Sequence, residues 1–205
     1  MSEESSSIFE STTGMVTFVR IEDEFAAVDA ALAHLFEGAR LHECGIRSRI
    51  DAIKSGARFV TDECGDITHD VLMGAEDVEL PTANYVASQM TRNISLVTCF
   101  ALIERCLKIV DQHYGNKLVR AKPGVGKRKS KIDDMLSAFE EVTKDRIELS
   151  VSAQAVLSTE RRLRNSFAHG DWDVLEQMAE GDHRNLLSAA AEIFREIEDV
   201  YARGA

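Results

Sequence analysis

The stretch from residue 82 to residue 114, TANYVASQMTRNISLVTCFALIERCLKIVDQHY, decides the fold of this chain. Its apolar residues recur mostly at spacings of three and four: Val86, Met90, Leu96, Val97, Phe100, Ile103, Leu107 and Val110. This is the period of an α-helix that buries one face. Thr82 is a suitable N-cap, and Gly115 is a suitable stop after Tyr114. We therefore expect a helix over residues 82 to 114 at the centre of the core.

Amphipathic helices are also predicted on both sides of this stretch. An N-terminal helix of residues 22 to 55 is long for a globular protein. Three further helices follow, over residues 131 to 144, about 150 to 169 and 182 to 203. Residues 56 to 81 contain three glycines and Pro81 and are expected to be an irregular connection with at most short helical pieces. Residues 15 to 19 are treated as a loop. The predicted fold class is all-α.

Length and composition favour one globular domain. The chain has 205 residues, of which 44% are hydrophobic and two are proline. Residues 1 to 14, rich in Ser, Thr and Glu, are expected to be a disordered, solvated tail, and residues 15 to 205 to form the domain. No secretory signal or membrane span is evident, so a cytoplasmic protein without membrane contact is expected. The spacing of the four cysteines favours reduced core thiols and no metal site.

Positive charge is concentrated in one segment. Residues 117 to 131 carry seven Lys and Arg residues and no acid, whereas the net charge of the whole chain is −11. Clustered cations attract RNA phosphates, and we name four residues as candidate substrate contacts: Lys127, Arg128, Lys129 and Lys131. The segment is equally compatible with a disordered loop or with the docking site of an acidic antitoxin. Its Gly-Val-Gly-Lys sequence lacks the residues and the preceding strand of a phosphate-binding loop.

A second group of polar residues lies late in the fourth predicted helix, where residues 164 to 170 read RNSFAHG. This motif resembles the Arg-x4-6-His signature of the HEPN superfamily, most closely its standalone single-domain bacterial members. Many HEPN proteins are small helical ribonucleases that need no metal and work as dimers. Together with the long N-terminal helix predicted from apolar spacing, the resemblance implies a HEPN-like helical bundle with a motif helix ending near residue 169. It covers residues 85 to 205.

The resemblance also implies roles for individual residues. His169 is the expected general base or acid, Arg164 binds the phosphate and stabilises its developing charge, and Asn165 orients His169 or contacts the phosphate. Arg162 is a further expected substrate contact. The nucleophile would be the RNA 2′-OH, which leaves a 2′,3′-cyclic phosphate and requires no metal or other cofactor.

Helix geometry arranges these residues unequally. At 100° per residue, Asn165 lies about 40° from His169, and Arg162 is nearly superimposed on His169. Arg164 lies about 140° from His169 on the same ideal helix. Convergence of Arg164 and His169 on one phosphate is therefore expected to need a distorted last turn or a second subunit, and a homodimer supplies the latter.

Alternative interpretations remain open at this point. His169 beside Gly170 suits a helix C-cap, and Arg161, Arg162 and Arg164 suit a solvated face matched to acidic neighbours. Glu104 either lies near the active site, as a polar residue does in many HEPN proteins, or belongs to a solvent-facing ion pair. We favour the ion pair. The function expected is an endoribonuclease in a toxin–antitoxin or phage-defence role, restrained by an antitoxin or inhibitor protein. The alternatives are a non-catalytic module that binds nucleic acid or nucleotide, and a helical regulatory or scaffold dimer.

Overall fold

The computed structural model describes residues 8–56, 60–62, 65–118, 131–169 and 183–204. Most of these residues are helical, which confirms the all-α expectation. The β structure within these ranges is a short antiparallel ladder that pairs Thr61 with Asp66 and Asp62 with Gly65. No helix in the described part of the chain is both long enough and apolar enough to cross a bilayer.

Seven α-helices and two π-helical segments make up the described chain. The helices are α1 (Val16–Lys54), α2 (Thr68–Gly74), α3 (Leu80–Tyr85), α4 (Thr91–His113), α5 (Lys131–Thr143), α6 (Val151–His169) and α7 (His183–Gly204). The π segments Ala75–Glu79 and Val86–Met90 join α2 to α3 and α3 to α4. The strands are β1 (Thr61–Asp62) and β2 (Gly65–Asp66). Both ends of α5, α6 and α7 lie within about one residue of the predicted bounds.

The chain divides into two compact units. The first contains residues up to Ala30 and from Ser95 onwards, and the second contains Ala31–Ile94. In the first unit, α4 is buried around much of its circumference, as its apolar pattern predicts. Its buried apolar residues there are Leu96, Cys99, Phe100, Leu102, Ile103, Cys106, Leu107, Ile109 and Val110. Burial raises the pKa of both the Cys99 and the Cys106 thiol to about 12, so both thiols stay protonated.

The second unit has a small core of its own. Ile46 and Ile50 of α1 pack there with Ala75 and Ala83, and Leu72 and Leu80 cover them partly. Cys44, on α1 in this unit, is exposed, so the expectation of a core thiol is wrong for this cysteine.

The start of the chain differs from the sequence-based expectation. Residues 8 to 14 were expected to be a solvated tail, yet Phe9 is fully buried and its ring centroid lies 5.6 Å from that of Phe25. The Ser11 and Thr13 hydroxyls both donate to Glu198 Oε1, at 2.8 Å and 2.6 Å. The tail expectation is wrong for residues 8 to 14 because these hydroxyl groups solvate a buried carboxylate rather than facing water.

The loop expected over residues 15 to 19 is also helical from Val16. The Met15 carbonyl accepts hydrogen bonds from the Phe18 and Val19 amides, each at 2.9 Å, and so starts the first turn of α1. Phe18 and Ile21 are buried in this turn. Burial of these two side chains stabilises a helix that begins earlier than the predicted residue 22.

The segment before α4 also differs from the sequence-based expectation. Residues 68 to 81 were expected to contain at most short helical pieces, but the chain is helical without interruption from Thr68 to His113. Thr82 is not an N-cap, because its hydroxyl donates to the Val78 carbonyl one turn earlier, at 2.7 Å. Pro81 has no amide hydrogen and its ring crowds the carbonyl four residues before it. The wider π turn of Ala75–Glu79 accommodates that ring at the start of α3.

Candidate functional site

Helix α6 carries the motif residues and is held at its start by α7. The Ser150 hydroxyl accepts a hydrogen bond from the Ala153 amide at 3.1 Å, which caps the first turn. The same hydroxyl donates to Glu192 Oε2 of α7 at 2.9 Å. Ala153, Leu157 and Leu163 form the buried side of α6. The motif residues that follow are therefore presented from an anchored helix, which remains α-helical as far as His169.

The side of α6 away from the core carries the predicted polar stripe. Arg162, Asn165 and His169 are all exposed, and Arg164 is half-buried. Because α6 is α-helical as far as His169, Arg162, Asn165 and His169 keep the helical spacing that was predicted to place them on one face. Gly170, the residue predicted to close the helix, lies outside the described residues.

Arg164 does not point directly away from this stripe. Its Nη1 atom donates to Asn165 Oδ1 at 3.3 Å, a long hydrogen bond in an exposed position. Because Asn165 lies about 40° from His169 on the helix, this contact brings the guanidinium towards the side that carries the imidazole. Of the two alternatives, a distorted last turn or a second subunit, the first is absent because α6 stays α-helical. The long arginine side chain instead brings the guanidinium part of the way towards His169.

Arg161 forms an ion pair, which distinguishes it from the nearby Arg162 and Arg164. Arg161 Nη1 donates to Asp133 Oδ2 of α5 at 2.7 Å, and both side chains are about one-third exposed. Within the described parts of the chain, neither Arg162 nor Arg164 has an acidic partner. Arg161 therefore fits the interpretation of a solvated face paired with acids. Arg162 and Arg164 do not fit it among the described residues.

Arginines elsewhere in the described chain also differ in whether they are paired with an acid. Several arginines outside the motif are matched to acids within their own unit: Arg40 to Glu37, Arg47 to Glu43, Arg49 to Glu79, Arg105 to Glu24 and Arg184 to Asp29. Arg162 and Arg164, two positions apart on α6, have no acidic partner among the described residues, and guanidinium groups of this kind suit an anionic ligand.

Glu104 lies in an ion pair, as the favoured interpretation predicts. Lys131 Nζ is 3.3 Å from Glu104 Oε2, and the two side chains are 53% and 30% exposed. Such an exposed pair contributes little to stability. Its consequence is instead that Lys131, a candidate substrate contact, is already shared with an acid.

The remaining basic candidates are not placed by the structure. Lys127, Arg128 and Lys129 lie outside the described residues. The two ends of their segment are fixed in the first unit, because Leu118 is buried and its amide donates to Asp111 Oδ1 at 2.7 Å, and α5 starts at Lys131.

One contact near α6 gave no signal in the sequence. Asp29 of α1 lies beside the start of α7, with its Oδ1 atom 3.7 Å from His183 Nε2 and 3.6 Å from Arg184 Nε. The acid and the imidazole are both largely buried, and 153 residues separate them in the chain. Local spacing cannot reveal such a pair. It places the start of α7 beside α1 in the first unit.

Neither a protein-family model, nor a curated protein, nor a solved structure matches this chain. Among the described residues, no group of three or more His, Cys, Asp and Glu side chains is arranged to hold a metal ion.

Proposed function

We propose that this protein is a HEPN-type endoribonuclease that cleaves RNA without a metal ion. The observation that carries the proposal is the end of α6, where His169 and Arg162 are exposed and Arg164 and Arg162 lack acidic partners among the described residues. An exposed imidazole with two available guanidinium groups suits phosphate chemistry. The resemblance of residues 164 to 170 to the HEPN signature supports the same activity.

The proposed reaction is an internal transesterification. The RNA 2′-OH attacks the adjacent phosphorus, the bond from phosphorus to the 5′-oxygen breaks, and the products are a 2′,3′-cyclic phosphate and a 5′-OH. His169 takes the proton from the 2′-OH or delivers one to the leaving oxygen. Arg164 stabilises the negative charge that develops on the phosphate oxygens. DNA lacks the nucleophile, so it would bind without being cut.

Asn165 has a positioning role in this proposal. It accepts the hydrogen bond from Arg164 at 3.3 Å and lies one helical turn before His169. It therefore holds the guanidinium on the side of α6 that the imidazole occupies. Arg162, two turns before His169, extends the same exposed face and would contact a neighbouring phosphate.

The proposed active form is a homodimer. The motif residues are exposed on one face of α6, so a second copy of the helix packed against this face would double the number of cations around one RNA strand. The proposed setting is a cytoplasmic toxin–antitoxin or phage-defence system, in which an antitoxin or inhibitor protein covers the site. The basic residues 127 to 131 would add sequence-independent contacts to the RNA backbone.

A cleavage assay tests the proposal. Structured RNA is incubated with the protein in excess EDTA, and the product ends are mapped. His169→Ala is expected to lower the rate by about 10²- to 10⁴-fold, the usual contribution of general acid–base catalysis. Arg164→Ala is expected to lower it as well. Matched controls are His34→Ala and Arg146→Ala, since both residues are exposed and lie outside the motif.

The alternatives give different results in the same assay. RNA binding without cleavage, weakened by neutralising residues 127 to 131, would point to the non-catalytic binding module. Absence of salt-dependent RNA binding would point to the regulatory or scaffold dimer. Undiminished cutting by His169→Ala, or cutting that EDTA abolishes, would exclude the mechanism.

A further inference from the structure

A cleft in the first unit lies at a place where three helices end. It has a volume of about 240 Å³ and is lined by Tyr114, Thr143, Asp145, Val200, Tyr201 and Gly204. These residues belong to the end of α4, the end of α5 and the end of α7. None comes from α6, so the cleft is separate from the proposed RNA site. Its volume is below the roughly 300 Å³ at which pockets for drug-sized ligands begin, which indicates a smaller occupant.

The aromatic side of the cleft is held in place by packing. The Tyr201 ring meets the His113 ring at a centroid distance of 4.9 Å and an angle of 71°. The Tyr114 ring meets Phe139 edge-on at 5.5 Å and 89°. Burial raises the pKa of Tyr114, and the neighbouring Tyr201 adds to the shift, so the phenol stays neutral. Two tyrosine rings are therefore fixed in the wall.

The polar side of the cleft carries negative charge. Asp145 is the charged residue among the described residues that line it. Lys144 adopts a left-handed conformation with φ 66°, which ends α5 and turns the chain so that Asp145 reaches the cleft. The Asp145 amide donates to Thr143 Oγ1 at 3.3 Å, which fixes the turn. Within the described part of the chain, the Asp145 carboxylate makes no ion pair.

The helix ends add to this charge. The last carbonyl groups of an α-helix have no amide partners within it, and they give its C-terminus about half a negative charge. Tyr114 follows the last residue of α4, Thr143 is the last residue of α5, and Gly204 is the last residue of α7. Three negative helix ends, one carboxylate and two electron-rich rings thus surround one small space.

We propose that this cleft binds a small organic ammonium ion. A quaternary or primary ammonium group is attracted by tyrosine rings, by a carboxylate and by carbonyl dipoles at the same time. A phosphate or another anion would be repelled by all three. The proposal does not depend on the ribonuclease activity, because no residue of the cleft belongs to the motif on α6.

The test compares two molecules of nearly the same shape. Choline carries a positive nitrogen where 3,3-dimethyl-1-butanol carries a carbon atom, and binding of each to the full chain is measured by calorimetry at low salt. Saturable binding of choline and much weaker binding of the neutral alcohol are expected. Equal binding of the two would show an apolar pocket only and overturn the proposal. Absence of saturable binding by both choline and tetramethylammonium would also overturn it.

Variants of the cleft locate the site. Tyr201→Leu is expected to weaken choline binding by about two- to thirtyfold, the range of exposed to desolvated cation–π contacts. Tyr201→Phe keeps the ring and is expected to retain binding. Asp145→Asn, an exposed change that does not depend on core packing, is expected to weaken it by about two- to fivefold. Asp51→Asn, an exposed change in the second unit, is the control. Unchanged binding in both Tyr201→Leu and Asp145→Asn would place choline elsewhere and overturn the proposal.

Discussion

Arg164 and Asn165 are joined by a hydrogen bond from Nη1 to Oδ1 of 3.3 Å, although consecutive side chains leave an α-helix about 100° apart. Adjacent helical residues do not ordinarily face each other. The contact exists because the arginine side chain is long enough to bend around the helix towards its neighbour. It changes the expected geometry of the motif, since the guanidinium moves towards the side of His169 while the helix remains regular.

This contact leads to a prediction for Asn165→Asp. The new carboxylate would pair with the Arg164 guanidinium and repel a phosphate, so the rate of RNA cleavage is expected to fall about tenfold or more. The measurement is the rate of appearance of cyclic-phosphate ends. Asn84→Asp is a matched control, because Asn84 Oδ1 accepts a hydrogen bond from Arg47 Nη2 at the same 3.3 Å in the second unit. Wild-type cleavage by Asn165→Asp would contradict the assigned positioning role.

The neighbours Arg161 and Arg162 are predicted to have separate effects. Arg161→Ala removes the 2.7 Å contact with Asp133 and is expected to lower the free energy of unfolding. A double-mutant cycle with Asp133→Asn is expected to give a coupling of about 1 kcal/mol or less, because both side chains are partly exposed. Arg162→Ala is expected to change stability by less than about 0.5 kcal/mol and to weaken RNA binding. Urea unfolding measures the first effect and filter binding the second. Loss of stability in Arg162→Ala together with loss of RNA binding in Arg161→Ala would refute the roles assigned to the two residues.

The stability of the first unit is predicted to depend on the ionisation of Glu198. Burial pushes the pKa of this carboxyl up, but hydrogen bonds from Thr13 and Ser11 more than offset burial and hold the pKa below 4.5. Since the folded pKa lies below the unfolded one, the stabilisation is present above pH 4.5 and is lost as the pH falls through the folded pKa. Urea unfolding of the wild type across this range is expected to show the loss.

Glu198→Gln provides the comparison for that pH dependence. The variant is expected to be less stable than the wild type near neutral pH, and the difference is expected to shrink as the pH falls below 4.5. Glu196→Gln on the same helix is the control, since it is Glu198 that accepts hydrogen bonds from the Ser11 and Thr13 hydroxyls. A stability difference that does not change with pH would show that the charge of Glu198 has no part in anchoring residues 8 to 14.

Exposed cysteines are predicted to react rapidly with thiol reagents, and buried cysteines are predicted to react slowly. Cys99 and Cys106 are buried with pKa values raised to about 12, whereas Cys44 is exposed. In a Cys64→Ala background, native protein is expected to take up one equivalent of a thiol reagent rapidly, and unfolded protein three. Counting labelled thiols by mass spectrometry checks this. Rapid native labelling of Cys99 or Cys106 would show that the core around α4 opens readily.

Helices with strong local signals were predicted well from the sequence. The bounds of α5, α6 and α7 followed from apolar spacing, because this is a local property of the chain. The exposed stripe of Arg162, Asn165 and His169 also followed from helical periodicity alone. The HEPN assignment and the ribonuclease activity stay predictions, as do the homodimer and the antitoxin partner.

Segments whose structure depends on distant partners were predicted less well. Residues 8 to 14 look like a tail because Ser and Thr usually face water. Glu198, almost 190 residues later, nevertheless accepts hydrogen bonds from the hydroxyl groups of this segment. Pro81 looks like a helix boundary, yet a π turn before it keeps the helix continuous. The pairing of Asp29 with His183 and Arg184 likewise has no local trace.

The sequence by itself determined the helical class, the bounds of the last three helices and the face on which the motif residues stand, because these depend on spacing within a few turns. Only the tertiary structure decided which arginine of the motif is paired, since Asp133 comes from another helix. Tertiary structure also buried the N-terminal segment and brought three helix ends together around Asp145. Electrostatic partners in a folded chain are set by proximity in space, which the order of residues along α6 does not contain.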